Sequence, residues 1–374
     1  DTARLRSLAA QGRVRDVAFA FRRATADAPP EYSFSGKLEE VGFSPVGAAP
    51  GLHGITGQFV ATDRSGRFDL AARNFGFNLP RLFREPLLTD EVSGTITWAR
   101  EADRWRIASD AVAVRDADGK GTARFTFDLP DDGSSPVLDL EGAGTDIDAT
   151  ATPRYLPAGR MSARSLAWLD RAFPAGRVAT ASIVYRGPTR LFPFRGDEGT
   201  FIARGNFDGI TLDYDPRWLP LVDARGDVEF HNEGLTARAA SGQVHGLRVS
   251  QGQVDIADFR SLELDIRAQG NGDLGAALDY LQRSTVGPAL GDRFMALEGK
   301  GAATFEARLW LPVKQMEDRR IDVTARLVNA EVGQRGQPQK VTALSGPLQV
   351  LDRAVVSPGL QGRFLGGPVS IAMT

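Results

Sequence analysis

Residues 153–220 read PRYLPAGRMSARSLAWLDRAFPAGRVATASIVYRGPTRLFPFRGDEGTFIARGNFDGITLDYDPRWLP, and they carry signals for both helix and strand. The first part predicts a short amphipathic helix, because Ser162 is a good N-cap residue and apolar residues follow at helical spacing. These apolar residues are Leu166, Leu169, Ala172 and Phe173. Pro174 and Gly176 predict the end of the helix.

The next part of this stretch has the period of a strand. Ala179, Ala181, Ile183 and Tyr185 alternate with Thr180, Ser182, Val184 and Arg186. Side chains point alternately to opposite faces of a strand, so this pattern predicts one face of small or apolar residues and one more polar face. A short helix that interrupts a run of strands is therefore the motif to look for elsewhere.

The same order of strand, short helix and glycine-led strand is indicated at two further places. One is the segment NFGFNLPRLFREP around residue 80, and the other is DLGAALDYLQR from Asp273 to Arg283. Their spacing is too irregular for a tandem repeat. We expect one continuous chain with loose units at about residues 1–99, 100–187, 188–310 and 311–374.

Length and composition limit the possible functions. The 374 residues include 45 Lys and Arg against 47 Asp and Glu, so the chain lacks the basic surplus typical of nucleic-acid binding. Cysteine is absent, which excludes disulfides and thiolate chemistry. No window has the length and apolar character of a membrane-spanning helix, and we expect no signal peptide within this stretch. Because the chain begins at Asp1, we expect a processed or internal piece of a longer protein.

Most predicted strands are apolar on one face and charged on the other, as in an antiparallel sheet with one wet side. Two or three short helices cannot cover the apolar side of so many strands. Either the sheet folds on itself as a sandwich or barrel, or the apolar side lines a groove that another molecule fills. An open strip of that size would exceed the apolar patches that soluble monomers usually expose, and would imply an apolar ligand.

Few residues suggest catalysis or metal binding. His53, His231 and His245 lie in unrelated contexts and are expected to be surface positions rather than ligands. Asp146 and Asp148 share a strand face but lack the loop of a calcium site, so a solvated face is expected. No phosphate-binding, dinucleotide-binding or nucleophile-elbow motif occurs. We therefore expect no enzymatic activity, no metal and no cofactor.

The central stretch resembles YhdP-type proteins, members of the AsmA-like group that also includes TamB. The resemblance covers roughly residues 90–330, and its most specific motifs are Tyr185-Arg186-Gly187, Phe192-Pro193-Phe194 and Trp218-Leu219-Pro220. It implies a mainly β fold, an elongated and curved antiparallel sheet that forms a hydrophobic groove, with two or three short helices. It also implies an envelope protein of Gram-negative bacteria that passes phospholipid between the inner and outer membranes.

The resemblance further implies a location in the periplasm, with the full-length protein anchored in the inner membrane. The expected partners are phospholipids, the two membranes through parts of the protein absent from this chain, and envelope proteins, but not nucleic acid. We expect the apolar members of the alternating strands to line the groove: Ile210, Leu212, Tyr214, Val228, Phe230, Val254, Ile256, Leu262, Leu264, Ile266, Phe305, Leu309, Ile321, Val323 and Leu327.

Two alternatives belong to other functional classes. The first is an envelope-assembly scaffold with a closed β core that holds partners by exposed sheet edges. The second is a β-sandwich enzyme acting on polysaccharide, which would need a pair of facing carboxylates that the spacing does not identify.

The helices near residues 165 and 278 are expected to cap or plug the groove, or to mark bends between units.

Overall fold

The structure, a computed structural model, describes residues 9–23, 31–47, 49–352 and 354–373. In these ranges the chain forms nineteen strands, which belong to one antiparallel sheet, and five short helices. The mainly β class with few helices is therefore confirmed. The strands are β1 (Gln11–Arg22), β2 (Glu31–Phe43), β3 (Gly51–Thr62), β4 (Ser65–Asn78), β5 (Leu87–Arg100), β6 (Arg104–Asp116), β7 (Gly119–Pro130), β8 (Val137–Asp148), β9 (Ala175–Pro188), β10 (Thr200–Leu212), β11 (Leu221–His231), β12 (Gly234–Val244), β13 (Leu247–Ile256), β14 (Glu263–Asp273), β15 (Leu297–Pro312), β16 (Arg320–Gln334), β17 (Lys340–Leu351), β18 (Ala354–Phe364) and β19 (Gly367–Met373).

The helices are confined to two insertions between strands. Only two of them reach ten residues, and the others are single turns of four. In chain order they are α1 (Thr152–Tyr155), α2 (Ala163–Ala172), α3 (Leu274–Arg283), α4 (Val286–Ala289) and α5 (Asp292–Met295).

Both ten-residue helices begin and end close to the predicted positions. The Ser162 hydroxyl oxygen accepts a hydrogen bond from the backbone N–H of Ser165 at 3.1 Å, which is the predicted N-cap contact. Helix α2 ends at Ala172, two residues before Pro174. Helix α3 starts one residue later than predicted, because Asp273 caps the helix rather than joining it.

The predicted helix near residue 80 is wrong. The segment between β4 and β5 makes a single turn, in which the N–H groups of Leu82 and Phe83 donate to the carbonyl of Leu79. Pro86 lies too close to Pro80 for further turns, because proline breaks a helix after its first turn. Formation of the first turn of a helix is unfavourable in free energy, because several residues are ordered for one hydrogen bond. A segment with room for only one turn therefore does not form a longer helix.

Removal of the Asp273 cap gives the first testable prediction. Its carboxylate accepts from the N–H of Gly275 at 2.8 Å and from the N–H of Gly301 at 2.8 Å. Asp273→Ala is expected to lower the free energy of opening of α3 by about 1–2 kcal/mol. Hydrogen exchange of α3 peptides measures this loss. The matched control Asp265→Ala removes only an exposed pair with Arg267 and should change it by less than about 0.5 kcal/mol.

Contacts divide the chain into two compact units. The first comprises Asp1–Asp170 and Val178–Arg204, and the second comprises Arg171–Arg177 and Gly205–Thr374. In the described part of the first unit, each strand from β1 to β7 pairs antiparallel with the next strand in the chain. The same pairing holds from β11 to β19 in the second unit. Each unit is thus a meander, the simplest topology for strands joined by short turns.

Candidate functional site

The strand register of the second unit brings most of the predicted lining residues onto one face. Directly paired residues of neighbouring antiparallel strands point to the same side of a sheet, so a chain of paired residues traces a row across the strands. We call the side defined by these rows the apolar face of the second unit. One row is Val228, Ala237, Val254, Ile266, Leu309 and Ile321, and another is Phe230, Leu235, Ile256, Leu264 and Leu311.

A third row on the same face is built of small residues at one side and valines at the other. It crosses eight strands, from β11 to β18, and contains the predicted residue Val323. Its members are Gly226, Ala239, Gly252, Ala268, Ala307, Val323, Val350 and Val355. Phe305 lies one row further along, opposite Gly270 and Ala325.

The opposite side of these strands is charged. Arg238 donates to Asp227 at 3.2 Å across β11 and β12, and Arg267 pairs with Asp265 at 3.2 Å along β14. The Thr236 hydroxyl donates to Asp255 at 2.8 Å. Exposed ion pairs of this kind contribute little stability, but they keep this side of the sheet in water. The apolar side is therefore the only side suited to an apolar ligand in this part of the sheet.

Five predicted lining residues occupy other environments. Tyr214 follows β10, and Leu262 precedes β14 with a left-handed backbone (φ 52°), so neither is a strand residue. Ile210 is buried with 6% exposure, and Leu327 is buried with 4%. Leu212, the last residue of β10, is half-buried.

Leu327 is buried because helix α3 packs on that part of the apolar face. Leu274 and Leu278 of the helix meet a buried cluster that contains Leu327, Leu344 and Leu360. The cluster also includes Ala303 and Ala330, and Val332, Val341, Ile371 and Met373 pack at its margin. The helix thus covers one end of strands β15 to β18, while the rows that contain Val254 and Ile256 consist of half-buried side chains.

Polar contacts hold α3 against neighbouring turns. Nε2 of His245, in the turn between β12 and β13, lies 2.5 Å from Oδ2 of Asp279, and Arg283 donates to the same oxygen at 2.7 Å. The Tyr280 and Tyr214 hydroxyls are hydrogen-bonded at 2.8 Å, and the Tyr214 hydroxyl donates to the Leu219 carbonyl at 2.8 Å. Burial raises the pKa of both tyrosines, so both remain neutral donors.

A pH dependence follows from the Asp279 contacts. Partial burial acts to raise the pKa of Asp279, but the hydrogen bonds from His245 and Arg283 outweigh it and the pKa is lowered from 3.8. A lowered carboxyl pKa stabilises the fold above the ordinary value, and this contribution is lost as the pH falls through the lowered value. We expect Asp279→Asn to lower the thermal midpoint at pH 7, and the difference from the unchanged protein to shrink as the pH falls below 3.8 and to vanish once the pH is below the lowered pKa. A difference that persists in acid would contradict this assignment.

The first unit has an apolar face of its own, which was not included in the predicted lining. One row crosses eight strands, from β1 to β8: Phe19, Phe34, Ala61, Gly66, Trp98, Ile107, Phe127 and Leu138. The Trp98 ring lies over Gly66, where a Cβ atom would be only 2.0 Å from the ring. The same alternation of apolar and polar residues in β4 to β8 was the signal that could have identified this face.

Part of this first face is closed by its own side chains. Ile55, Leu70, Ala72 and Val92 are buried together, with Leu38, Val41 and Phe75 among the residues packed around them. The eight-strand row, in contrast, is half-buried or exposed, and Phe19 is 58% exposed. Each unit therefore combines a small closed cluster with a wide apolar strip.

The total accessible surface supports the same conclusion. The chain exposes 22329 Å², whereas a compact monomer of its mass would expose about 14,500 Å². Only one large side chain among the described residues, Phe194, is less than 2% exposed. A closed sandwich or barrel core of this size would bury many large side chains. The apolar faces are accordingly not covered as they would be in a closed core.

The short motifs that carry the family resemblance contribute residues to two aromatic clusters. In the first unit, the rings of Tyr185, Phe192, Phe194 and Phe201 pack together, with centroids 5.2–6.4 Å apart. In the second unit, Trp218 packs against Tyr280 at 5.5 Å. Both sets of rings contribute to packing.

The residues weighed for metal binding are dispersed. His53 and His231 are exposed strand residues, whereas His245 contacts Asp279. Asp146 lies 3.6 Å from Lys120, and Asp148 caps a 3-10 turn by accepting from the N–H of Thr150 at 2.9 Å. Among the residues that the structure describes, no group of three His, Asp or Glu side chains could hold a metal ion.

None of the helices in the described part of the chain has both the length and the apolar character needed to cross a membrane.

Comparisons with known proteins agree with the resemblance seen in the sequence. The chain is 22% identical over 323 residues to the intermembrane phospholipid transporter YhdP of Escherichia coli strain K12. This match covers 86% of the chain but 25% of that protein, so the chain spans about a quarter of the relative's length. No solved structure shows a significant match. A family model described as YhdP protein matches residues 2–374, and the chain therefore belongs to the YhdP protein family.

Proposed function

We propose that this chain is a segment of a periplasmic conduit that carries phospholipid between the inner and outer membranes. The observation that carries the proposal is the pair of apolar strips, each crossing eight strands, whose side chains are half-buried rather than enclosed. Two comparisons support it: the chain belongs to the YhdP family, and its Escherichia coli relative is an intermembrane phospholipid transporter. In this proposal, acyl chains lie along the strips and headgroups remain in water.

The energetics suit a conduit. Removing acyl chains from water is worth about 0.8 kcal/mol per CH₂, so an apolar strip holds a lipid without a polar clamp. Transfer from a membrane to the strip exchanges one apolar environment for another, so the net free energy per lipid is small. A small net free energy allows release at the far end. Such transport requires no catalytic group, and we propose that the chain is not an enzyme.

We propose that the lining of the second unit consists of the predicted residues that belong to the paired rows of the apolar face. They are Val228, Phe230, Val254, Ile256, Leu264, Ile266, Phe305, Leu309, Ile321 and Val323. We add the eight-strand row of the first unit, in which Trp98, Ile107 and Phe127 are half-buried. Ile210 and Leu327, which are covered within the chain, then frame the lining rather than contact lipid.

The remaining parts of the proposal concern the whole protein. Contact with the two membranes, and an anchor in the inner membrane, would be supplied by other segments of the full-length protein. The scaffold alternative requires a closed β core, which the large accessible surface disfavours. We therefore prefer phospholipid as the partner of the apolar faces.

Native mass spectrometry of the purified chain, followed by extraction and identification of bound lipid, tests the proposal. We expect phospholipid at more than one copy per chain, because each unit has its own apolar strip. A stable chain that carries no lipid, and takes up none from vesicles of phosphatidylethanolamine and phosphatidylglycerol, would contradict the proposal. The scaffold alternative would then be tested by isolation of envelope partners.

A further inference from the structure

The loop between β9 and β10, residues 189–199, contains Phe192-Pro193-Phe194, a motif that lipid carriage by the sheet does not itself explain. The position of this loop relative to the apolar face of the first unit follows from β9. Gly142 of β8 pairs with Ala123 of β7, and a Cβ atom on Gly142 would be 2.9 Å from the Cγ2 atom of Ile183. Ile183 of β9 therefore lies on the same face of the sheet. Since side chains alternate along a strand, Tyr185 and Gly187 share the face of Ile183.

The alternate residue of β9 confirms this orientation. Arg186 lies between Tyr185 and Gly187 in sequence, and it forms ion pairs with Glu141 and, at 3.4 Å, with Asp139. Glu141 also pairs with Arg124, the residue opposite it on β7. These charges belong to the wet side of the sheet, so Tyr185 and Gly187 point to the apolar side.

Phe194 is seated on the apolar side at Gly187. A Cβ on Gly187 would be 3.0 Å from the Phe194 ring, and one on Gly199 would be only 2.5 Å from it. The two glycines thus form a slot that admits the ring because they have no side chains. Phe194 is 1% exposed in this slot, and Tyr185 and Phe192 lie 5.3 and 6.1 Å from it, measured between ring centroids.

Hydrogen bonds fix the start of the loop to the turn between β7 and β8. The Thr189 N–H donates to the Pro136 carbonyl at 2.9 Å, and the Arg190 guanidinium donates to the Gly133 carbonyl at 2.9 Å. The Arg190 N–H also donates to the Ser135 hydroxyl at 3.1 Å. The rings are therefore held over the sheet by polar anchors as well as by their own packing.

We propose that Phe192 and Phe194 form a barrier in the lipid path of the first unit. Their rings fill the space above Tyr185 that acyl chains occupy elsewhere on this apolar face, so bound lipid stops at β9. The barrier limits how many lipids the first unit holds and makes β9 the far end of its strip, where lipid is released. This inference rests on the proposed function, because it assumes that the eight-strand row binds acyl chains.

Photo-crosslinking separates the barrier from the proposed function. The probe p-benzoylphenylalanine is placed at Tyr185 or, in a second protein, at Phe127, so that each probe replaces an aromatic residue of the same apolar face. Each full chain is loaded from vesicles of phosphatidylethanolamine and phosphatidylglycerol and irradiated, and lipid adducts are measured by mass spectrometry. We expect adducts from the Phe127 probe and at least tenfold fewer from the Tyr185 probe.

The two failures are distinguishable. No adduct from either probe would contradict lipid binding on this face and thus the proposed function. Equal adducts from both probes would overturn the barrier and leave the proposed function standing. These comparisons use the intact loop, so they do not depend on whether a loop variant folds.

A loop variant then tests whether the rings cause the exclusion. Phe192→Ala, in the chain with the Tyr185 probe, is expected to increase lipid adducts at least threefold with the circular-dichroism spectrum unchanged. The control Leu191→Ala changes a half-exposed residue of the same loop and should leave the adducts unchanged. A folded Phe192→Ala protein whose Tyr185 probe remains silent would overturn the role of the rings.

Discussion

Val323→Asp is expected to reduce the phospholipid bound to the second unit at least tenfold while the β-sheet circular-dichroism signal stays intact. Val323 lies in the third row of the apolar face, between Ala307 of β15 and Val350 of β17. A carboxylate placed there would face acyl chains, and an unpaired charge in an apolar environment is strongly unfavourable. In the lipid-free protein the same carboxylate reaches water, so folding is little affected.

The adjacent residue provides the control. Thr324 points to the charged side of the same strand, where its neighbours are Glu306 and Gln349. Thr324→Asp introduces the same charge one residue away and should leave bound lipid within twofold of the unchanged protein, as measured by native mass spectrometry. Leu264→Asp, in a different row, should repeat the loss seen with Val323→Asp. Loss of the fold in both apolar-face variants would instead indicate a closed core.

Phe194→Ala is expected to have the largest effect on stability. Phe194 is the one large side chain among the described residues with less than 2% exposure, and its slot between Gly187 and Gly199 cannot collapse easily around alanine. Replacement of a buried phenylalanine by alanine costs about 3–5 kcal/mol, because transfer free energy is lost and a cavity remains. Hydrogen exchange of peptides from β9 and the following loop measures the loss as faster opening.

Leu191→Ala is the matched control for this measurement. Leu191 belongs to the same loop but is 50% exposed, so its truncation should change the opening free energy by less than about 0.5 kcal/mol. If Leu191→Ala and Phe194→Ala accelerated exchange equally, the loop would not be held by the Phe194 ring. The role assigned to the glycine slot would then be wrong.

Local patterns accounted for the secondary structure where local forces decide it. Alternation predicted β9 and β14, and the cap at Ser162 was predicted because an N-cap depends on residues within one helical turn. Asp273 was predicted as the first residue of α3, whereas it is the N-cap of that helix. The helix predicted near residue 80 was wrong for a related reason. An apolar spacing between Pro80 and Pro86 resembles a helix, but too few residues remain to offset the cost of its first turn.

Site prediction was less complete than the prediction of strands. Alternation correctly grouped residues within a strand, such as Leu264 with Ile266, and the register then joined them to Ile256 and Val254. Tyr214 and Leu262 were included because they continue an apolar alternation, yet β10 ends before Tyr214 and β14 begins after Leu262. Leu327 has the same pattern as Val323, and only the position of α3 makes it a buried residue.

The amino-acid sequence by itself determined which side of each strand is apolar, where the two main helices begin, and the family to which the chain belongs. These properties depend on neighbours within a few residues or on the residues of short sequence motifs. The tertiary structure alone decided which strands' residues share a row, which parts of the apolar faces α3 and the Phe194 loop cover, and that Gly187 and Gly199 form a slot. These contacts join residues distant in sequence, and register and packing, not local periodicity, set them.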